Sequence, residues 1–252
     1  LSGSDLNGVV GRSGDIGKPV VWAGLNSANG EWEEILAGAS YSEVKAGLQL
    51  SNRAGPASEQ QLEAFSDLIE DSAAEWGATV ECPELERSLA VARQLDEFCA
   101  RVDVMIGLNI VSANGAPFHG TKVRTLAESS GFKLNPAGAF EYPTDHGVPL
   151  FYLANQESQP FVADRIKHLT TRGVTLLFDV PRVVEGLRAF DRMVSLAKRF
   201  TEILGGTFVD DNGRPLNDES IGKIREQLRE IYRVMEASEI PPGSARALKL
   251  FS

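Results

Sequence analysis

The strongest constraint in this sequence is that it repeats itself. At an offset of roughly 120–130 residues the same segments return in the same order. Ser13-Gly14 matches Ser130-Gly131, each after a helix-like stretch. The alternating run Val44-Lys45-Ala46-Gly47-Leu48-Gln49-Leu50 matches Val174-Thr175-Leu176-Leu177-Phe178-Asp179-Val180. Leu62-Glu63-Ala64-Phe65 matches Leu187-Arg188-Ala189-Phe190, each opening a helix that stops near Trp76-Gly77 or Leu204-Gly205-Gly206. A short strand and a last helix are expected after each stop. The shared order points to two tandem copies of one domain. Residues 1–100 form a degenerate, N-terminally truncated copy, and residues 101–240 form a fuller one. Residues 241–252 form a tail expected to be peripheral.

The second copy is the clearer of the two. Val104, Ile106, Leu108 and Ile110 alternate with Asp103, Met105, Gly107 and Asn109, the period of a half-buried strand. A helix over about 121–129 stops at Gly131, which accepts a left-handed backbone without strain. Strands follow near 139–142 and 150–154, joined through Asp145-His146-Gly147, and a strand over 174–180 ends at Pro181. A long amphipathic helix spans 184–204, with Leu187, Phe190, Val194, Ala197 and Ile203 close to helical spacing. Thr207-Phe208-Val209 reads as a strand. Asp210-Asp211-Asn212-Gly213 reads as a turn, and Asp218 as the N-cap of a final helix to about 237.

The first copy reads the same way with its opening strand missing. It has a helix over 3–13, a strand pair 20–25 and 31–36 around Ser27-Ala28-Asn29-Gly30, and a strand 44–50. Helices over 59–76 and 84–99 follow. Asp103 comes almost directly after the last helix, so the connection between the copies is short.

Alternating strands with one apolar helix layer give an α+β fold: an antiparallel sheet with helices on one face. Val174, Leu176, Phe178 and Val180 then point into the core. Thr175, Leu177, Asp179, Met105, Gly107 and Asn109 point away from it. An outer face carrying Met105 and Leu177 is either a binding surface or ordinary scatter of apolar residues.

Charge and composition exclude several classes. The chain has 252 residues and a net charge of -10. Residues 1–100 hold 17 acidic and 6 basic residues, a net of -11, whereas the remainder is near neutral. A nucleic-acid binder needs a basic footprint, so none is expected as partner. No run approaches the about 18 uninterrupted apolar residues of a membrane helix. The start is polar and glycine-rich, so an upstream segment is expected to be missing. Cys82 and Cys99 are too few for a disulfide scaffold and read as reduced thiols. His119, His146 and His168 are scattered, so no metal site and no cofactor are expected. No nucleotide-binding glycine loop, serine elbow or His-Glu-x-x-His pattern occurs, so the chain does not read as an enzyme.

One run of segments is specific. Leu150-Phe151-Tyr152-Leu153-Ala154-Asn155, Leu169-Thr170-Thr171-Arg172-Gly173-Val174-Thr175, Val180-Pro181, Gly205-Gly206 and Asp210-Asp211 occur in that order. Together they resemble the C-terminal domain of the ZipA family of bacterial cell-division proteins, over about residues 102–237. The resemblance implies a split β-α-β sheet with three helices on one face and no catalytic activity. It implies a place on the cytoplasmic face of the inner membrane at the division site, reached through an upstream anchor. It also implies that the exposed sheet face receives the C-terminal tail of FtsZ, with a few apolar anchors carrying the affinity.

Carried over position by position, that groove consists of Met105, Gly107, Ala137, Ala154, Gln156, Thr175 and Leu177. Gly107, Ala137 and Gln156 offer little apolar area, and each lost anchor forfeits on the order of 1–3 kcal/mol of burial. In the first copy Lys45, Gly47 and Gln49 replace Thr175, Leu177 and Asp179. That gives a polar face with a structural or second-partner role. The leading reading is a non-enzymatic division adaptor that binds FtsZ. The alternative is an interaction scaffold for other division or envelope proteins with a weakened or absent groove. An RNA-binding module is disfavoured, because the central outward positions are not aromatic and no basic stripe exists.

Overall fold

Helix α1 (Gly3–Arg12) forms where Leu6 and Val9 give one buried face and Ser2 caps the start, its hydroxyl accepting from the Asp5 N–H. The computed structural model describes residues 1–144 and 147–252. It divides into two compact units, Leu1–Ala100 with Ser252, and Arg101–Phe251.

In the first unit, β1 (Val20–Asn26), β2 (Trp32–Glu34) and β3 (Tyr41–Leu48) make an antiparallel sheet of order β2-β1-β3. The small pair β4 (Ser51–Asn52) and β5 (Gly55–Pro56) follows. Helix α2 (Glu59–Trp76) begins with a reciprocal cap: the Ser58 hydroxyl accepts from the Gln61 N–H, and the Gln61 side chain accepts from the Ser58 N–H. Helix α3 (Leu85–Val102) carries the chain to the boundary between the units.

The second unit runs β6 (Met105–Ser112), β7 (Phe118–His119), α4 (Gly120–Ser129), β8 (Lys133–Leu134), β9 (Phe140–Glu141), β10 (Tyr152–Asn155), β11 (Thr170–Thr171) and β12 (Gly173–Asp179). It continues with α5 (Gly186–Leu204), β13 (Gly206–Val209), α6 (Asp218–Ala237) and α7 (Ala245–Leu250). Six strands form one antiparallel sheet, β13-β6-β12-β10-β9-β8, and α5 packs on β13, β6 and β12. The inward positions Val174, Leu176 and Phe178 are fully buried, as alternation requires. Phe132, Phe151 and Phe200 fill the core beside them, Phe132 meeting Phe151 edge-on at 5.7 Å between ring centroids.

One joint occurs in both units. The Gly3 N–H donates to Ala39 O at 2.8 Å, and the Gly120 N–H donates to Leu169 O at 2.8 Å. Ser2 bridges to Ser40 as His119 pairs with Thr170. A Cβ on Gly3 would lie 1.9 Å from Leu36 O, and one on Gly120 would lie 2.2 Å from Ile166 O. Only glycine lets a helix start so close to that backbone.

Several expectations need correction. The strand beside β12 is β10, the second member of its hairpin, but the strand beside β3 is β1, the first member. The two strand pairs therefore do not correspond in order. No strand forms after Gly77: among the described residues none pairs with residues 78–83. Asn217, not Asp218, caps α6, since its Oδ1 reaches the Ser220 N–H at 2.9 Å; Asp218 instead pairs with Lys198 at 2.6 Å. The tail is not peripheral. Gly243 N–H donates to Pro181 O, α7 packs on the 3-10 turn Val180–Arg182, and Ala247 and Phe251 are fully buried. The expected Asp145-His146-Gly147 connection falls on Asp145 and His146, which lie outside the described residues.

Candidate functional site

The register of the second sheet decides which side chains share its outer face. One row across the strands is Gly107, Leu177, Tyr152 and Glu141. The next is Val209, Asn109, Thr175 and Ala154. Met105 stands opposite Asp179 on one side of these rows. On the other, the Gln156 N–H donates to Gly173 O, and its side chain lies across Gly173. Met105, Gly107, Ala154, Gln156, Thr175 and Leu177 thus sit on one face. Ala137 does not join them: it is exposed in the turn between Asn135 and Ala139, outside the strands.

Met105 is 50 % exposed, and Leu177, Thr175 and Ala154 are half-buried. Two residues expected to point outward into solvent are covered. Asn109 is buried because its Nδ2 donates to Asp211 Oδ1 at 2.8 Å, while its Oδ1 accepts from Thr175 Oγ1 at 2.6 Å. Asp179 is buried beside Arg182, at 3.8 Å.

Asp211 and Tyr152 are the members that sequence reasoning missed. The turn from Asp210 to Arg214 is tied by Asp210 Oδ1, which accepts from the Asn212 and Arg214 N–H groups at 2.9 and 2.8 Å. It holds the Asp211 carboxylate over Gly107, where a Cβ would come within 2.8 Å of Oδ1. The missing side chain at Gly107 is the space that Asp211 occupies. Tyr152 stands directly beside Leu177. Burial raises its phenol above the ordinary tyrosine range; Arg182 opposes that shift, and Glu141 and Asp179 add to it. Period-2 spacing from Ala154 could have found Tyr152, but no local signal marks Asp211.

The matching face of the first unit is less polar than Lys45, Gly47 and Gln49 suggested. Val21 is 52 % exposed opposite Gly47, and Trp32 is 42 % exposed with the Lys45 ammonium 4.1 Å from its ring centroid. Among the described residues no group of three His, Cys, Asp or Glu could hold a metal ion, and no helix is long and apolar enough to cross a membrane.

The family match lies within the second unit. Residues 104–227 match the family described as ZipA, C-terminal FtsZ-binding domain. Cell division protein ZipA of Xanthomonas euvesicatoria pv. vesicatoria is 26% identical over 178 residues, covering 67% of this chain and 73% of the relative. ZipA of Stutzerimonas stutzeri is 28% identical over 138 residues, covering 53% and 50%. ZipA of Pseudomonas putida is 27% identical over 136 residues, covering 52% and 46%. The chain spans about half the length of the last two relatives.

Proposed function

Residues 104–227 belong to the ZipA C-terminal, FtsZ-binding domain family, and from that premise we propose that the second unit binds the C-terminal tail of FtsZ on the outer face of its sheet. The family is one of non-enzymatic division proteins. The observation that carries the reading is one continuous face on which half-exposed Met105 adjoins Leu177, Tyr152, Thr175 and Ala154. Such a face suits a short apolar segment that sets two or three side chains against the sheet. Gly107, Gln156 and the exposed Ala137 complete the proposed contact surface, with Asp211 as a polar lip. The chain then serves as a division adaptor, and its link to the inner membrane is part of the same proposal.

Residues 1–100 are read as a degenerate copy of the same domain. The recurring glycine joint and the same inward positions on β3 and β12 support this. The different strand order is the main divergence between them.

A second reading, a scaffold for other division or envelope proteins, draws on Asp211. Its carboxylate over Gly107 removes apolar floor from the middle of the face. Titrating a labelled FtsZ tail peptide into the chain separates the two. Micromolar binding that Leu177→Asp weakens by roughly tenfold or more supports the first, since such a charge forfeits a buried anchor. No binding by the unmodified chain at high micromolar peptide sinks it and leaves the scaffold.

A further inference from the structure

Register and burial also define an outer face on the first sheet. Trp22 and Gly24 on β1 are buried, so Val21, Ala23 and Leu25 turn outward. Leu25 stands between Trp32 and Glu43, Ala23 between Glu34 and Lys45, and Val21 beside Gly47. The apolar members Val21, Leu25 and Trp32 lie on β1 and β2. Leu1 and Ser2 pair along the far side of β3, at Tyr41 and Ser40, away from these positions.

Two features prepare this face for a partner. Lys45 reaches across β1 and sets its ammonium 4.1 Å from the Trp32 ring centroid, which holds a 42 % exposed indole in one place. An anchor fixed before binding gives up little side-chain freedom when a partner arrives, and tryptophan is prominent among such anchors. The methylene stem of Lys45 extends the apolar floor from Trp32 toward Val21. At Gly47 a Cβ would meet nothing closer than Val21 O at 4.0 Å. The missing side chain therefore leaves an open notch beside the 52 % exposed Val21.

Charge and spacing select the occupant. Glu34 on the β2 side and Glu43 on the β3 side are exposed, and among the described residues neither carboxylate has an ion-pair partner. Residues 1–100 carry a net of -11, which repels an anionic surface and a second copy of this chain alike. Successive outward residues on β1 are about 6.8 Å apart, close to the rise of about 6 Å over four residues of an α-helix. We propose that this face docks a cationic amphipathic helix of a partner protein, laid along β1. Aliphatic side chains at i, i+4 and i+7 rest on Leu25 and Trp32, on the Lys45 stem and in the notch beside Val21, while lysine or arginine side chains reach Glu34 and Glu43. The site is separate from the face proposed for FtsZ and stands whether or not that reading holds.

The test uses the full 252-residue chain and a capped helical peptide of leucine, alanine and lysine, with leucines at i, i+4 and i+7. NMR locates binding, and the Trp32 indole N–H should shift together with the Val21 and Leu25 amides. Trp32→Ala should weaken binding roughly tenfold or more, since it removes the anchor. Glu34→Gln with Glu43→Gln keeps side-chain size and should weaken binding several-fold at low salt while flattening its salt dependence. A peptide of the same composition with its leucines scattered around the helix should bind roughly tenfold more weakly or worse. Leu177→Asp should leave all of this unchanged, which separates the site from the face proposed for FtsZ. The proposal is overturned by equal binding of the scattered peptide, by equal binding to either variant, or by no shift at Trp32, Val21 and Leu25. It is also overturned if sedimentation shows a dimer of the chain that Trp32→Ala dissociates, since a second copy would then be the occupant.

Discussion

Val174, Leu176 and Phe178 on β12 lie between two neighbouring strands, while Val44, Ala46 and Leu48 on β3 have a strand on one side only. The same inward alternation therefore ends in full burial in one unit and half exposure in the other. A helix layer alone does not seal a strand's inward residues. The neighbouring strand must also be present, because it supplies the side chains that flank them and the ladder that holds them in place.

That contrast can be broken by mutation. Phe178→Ala should cost the second unit about 3–5 kcal/mol, the range for emptying a fully buried aromatic site, whereas Leu48→Ala should cost the first unit about 1–2 kcal/mol. Urea unfolding measures both. All three tryptophans, Trp22, Trp32 and Trp76, lie in the first unit, so their fluorescence follows it alone. Equal costs would mean that β3 is as well packed as β12.

Hydrogen exchange sharpens the same contrast residue by residue. The Val44 and Ala46 amides should exchange on the order of a hundredfold faster than those of Val174 and Leu176, since only the latter are bonded to a second strand. Comparable protection would show that the β3 edge is covered in solution.

A smaller effect concerns the outer face. Asp211→Ala should strengthen binding of the FtsZ tail peptide by a few-fold, because it uncovers the Gly107 floor beside Leu177. Weaker binding would mean that the carboxylate is itself a contact.

The smallest effect reports on a groove of the first unit that lies between residues 42–46 and 78–83. Burial, helped by Glu70, raises the Cys82 thiol above its ordinary value of 9.0. The thiolate fraction at any given pH is therefore below that of an open cysteine, and alkylation should be slower at pH 8, with its midpoint displaced upward. An unshifted midpoint would mean that this wall of the groove is fully solvated.

Much of the fold was legible in the sequence because its signals are local. Ser58 and Gln61 mark the start of α2, apolar spacing marks α5, and period-2 alternation identifies the inward side of β12. The site was legible only in part. Alternation placed Met105, Gly107, Thr175 and Leu177 on one side of the sheet, but it could not show that Asp211 lies over Gly107. Nor could it show that Asn109 is consumed by a hydrogen-bonded network. Both depend on how a turn far along the chain folds back. The tail failed for the same reason: nothing near Ala247 or Phe251 announces that they find a buried place beside residues 180–182.

The sequence by itself determined the long helices and the principal strands, which strand residues face the helices, and the resemblance of the second unit to the ZipA C-terminal family. Those follow from periodicity, capping and turn chemistry within a few residues. Tertiary structure alone decided which strand sits beside which: β1 rather than β2 beside β3, and β6 between β12 and β13. Strand adjacency is a choice among distant partners with similar local patterns, settled by how well the whole layer packs. Among the described residues it pairs β12 on both sides and β3 with β1.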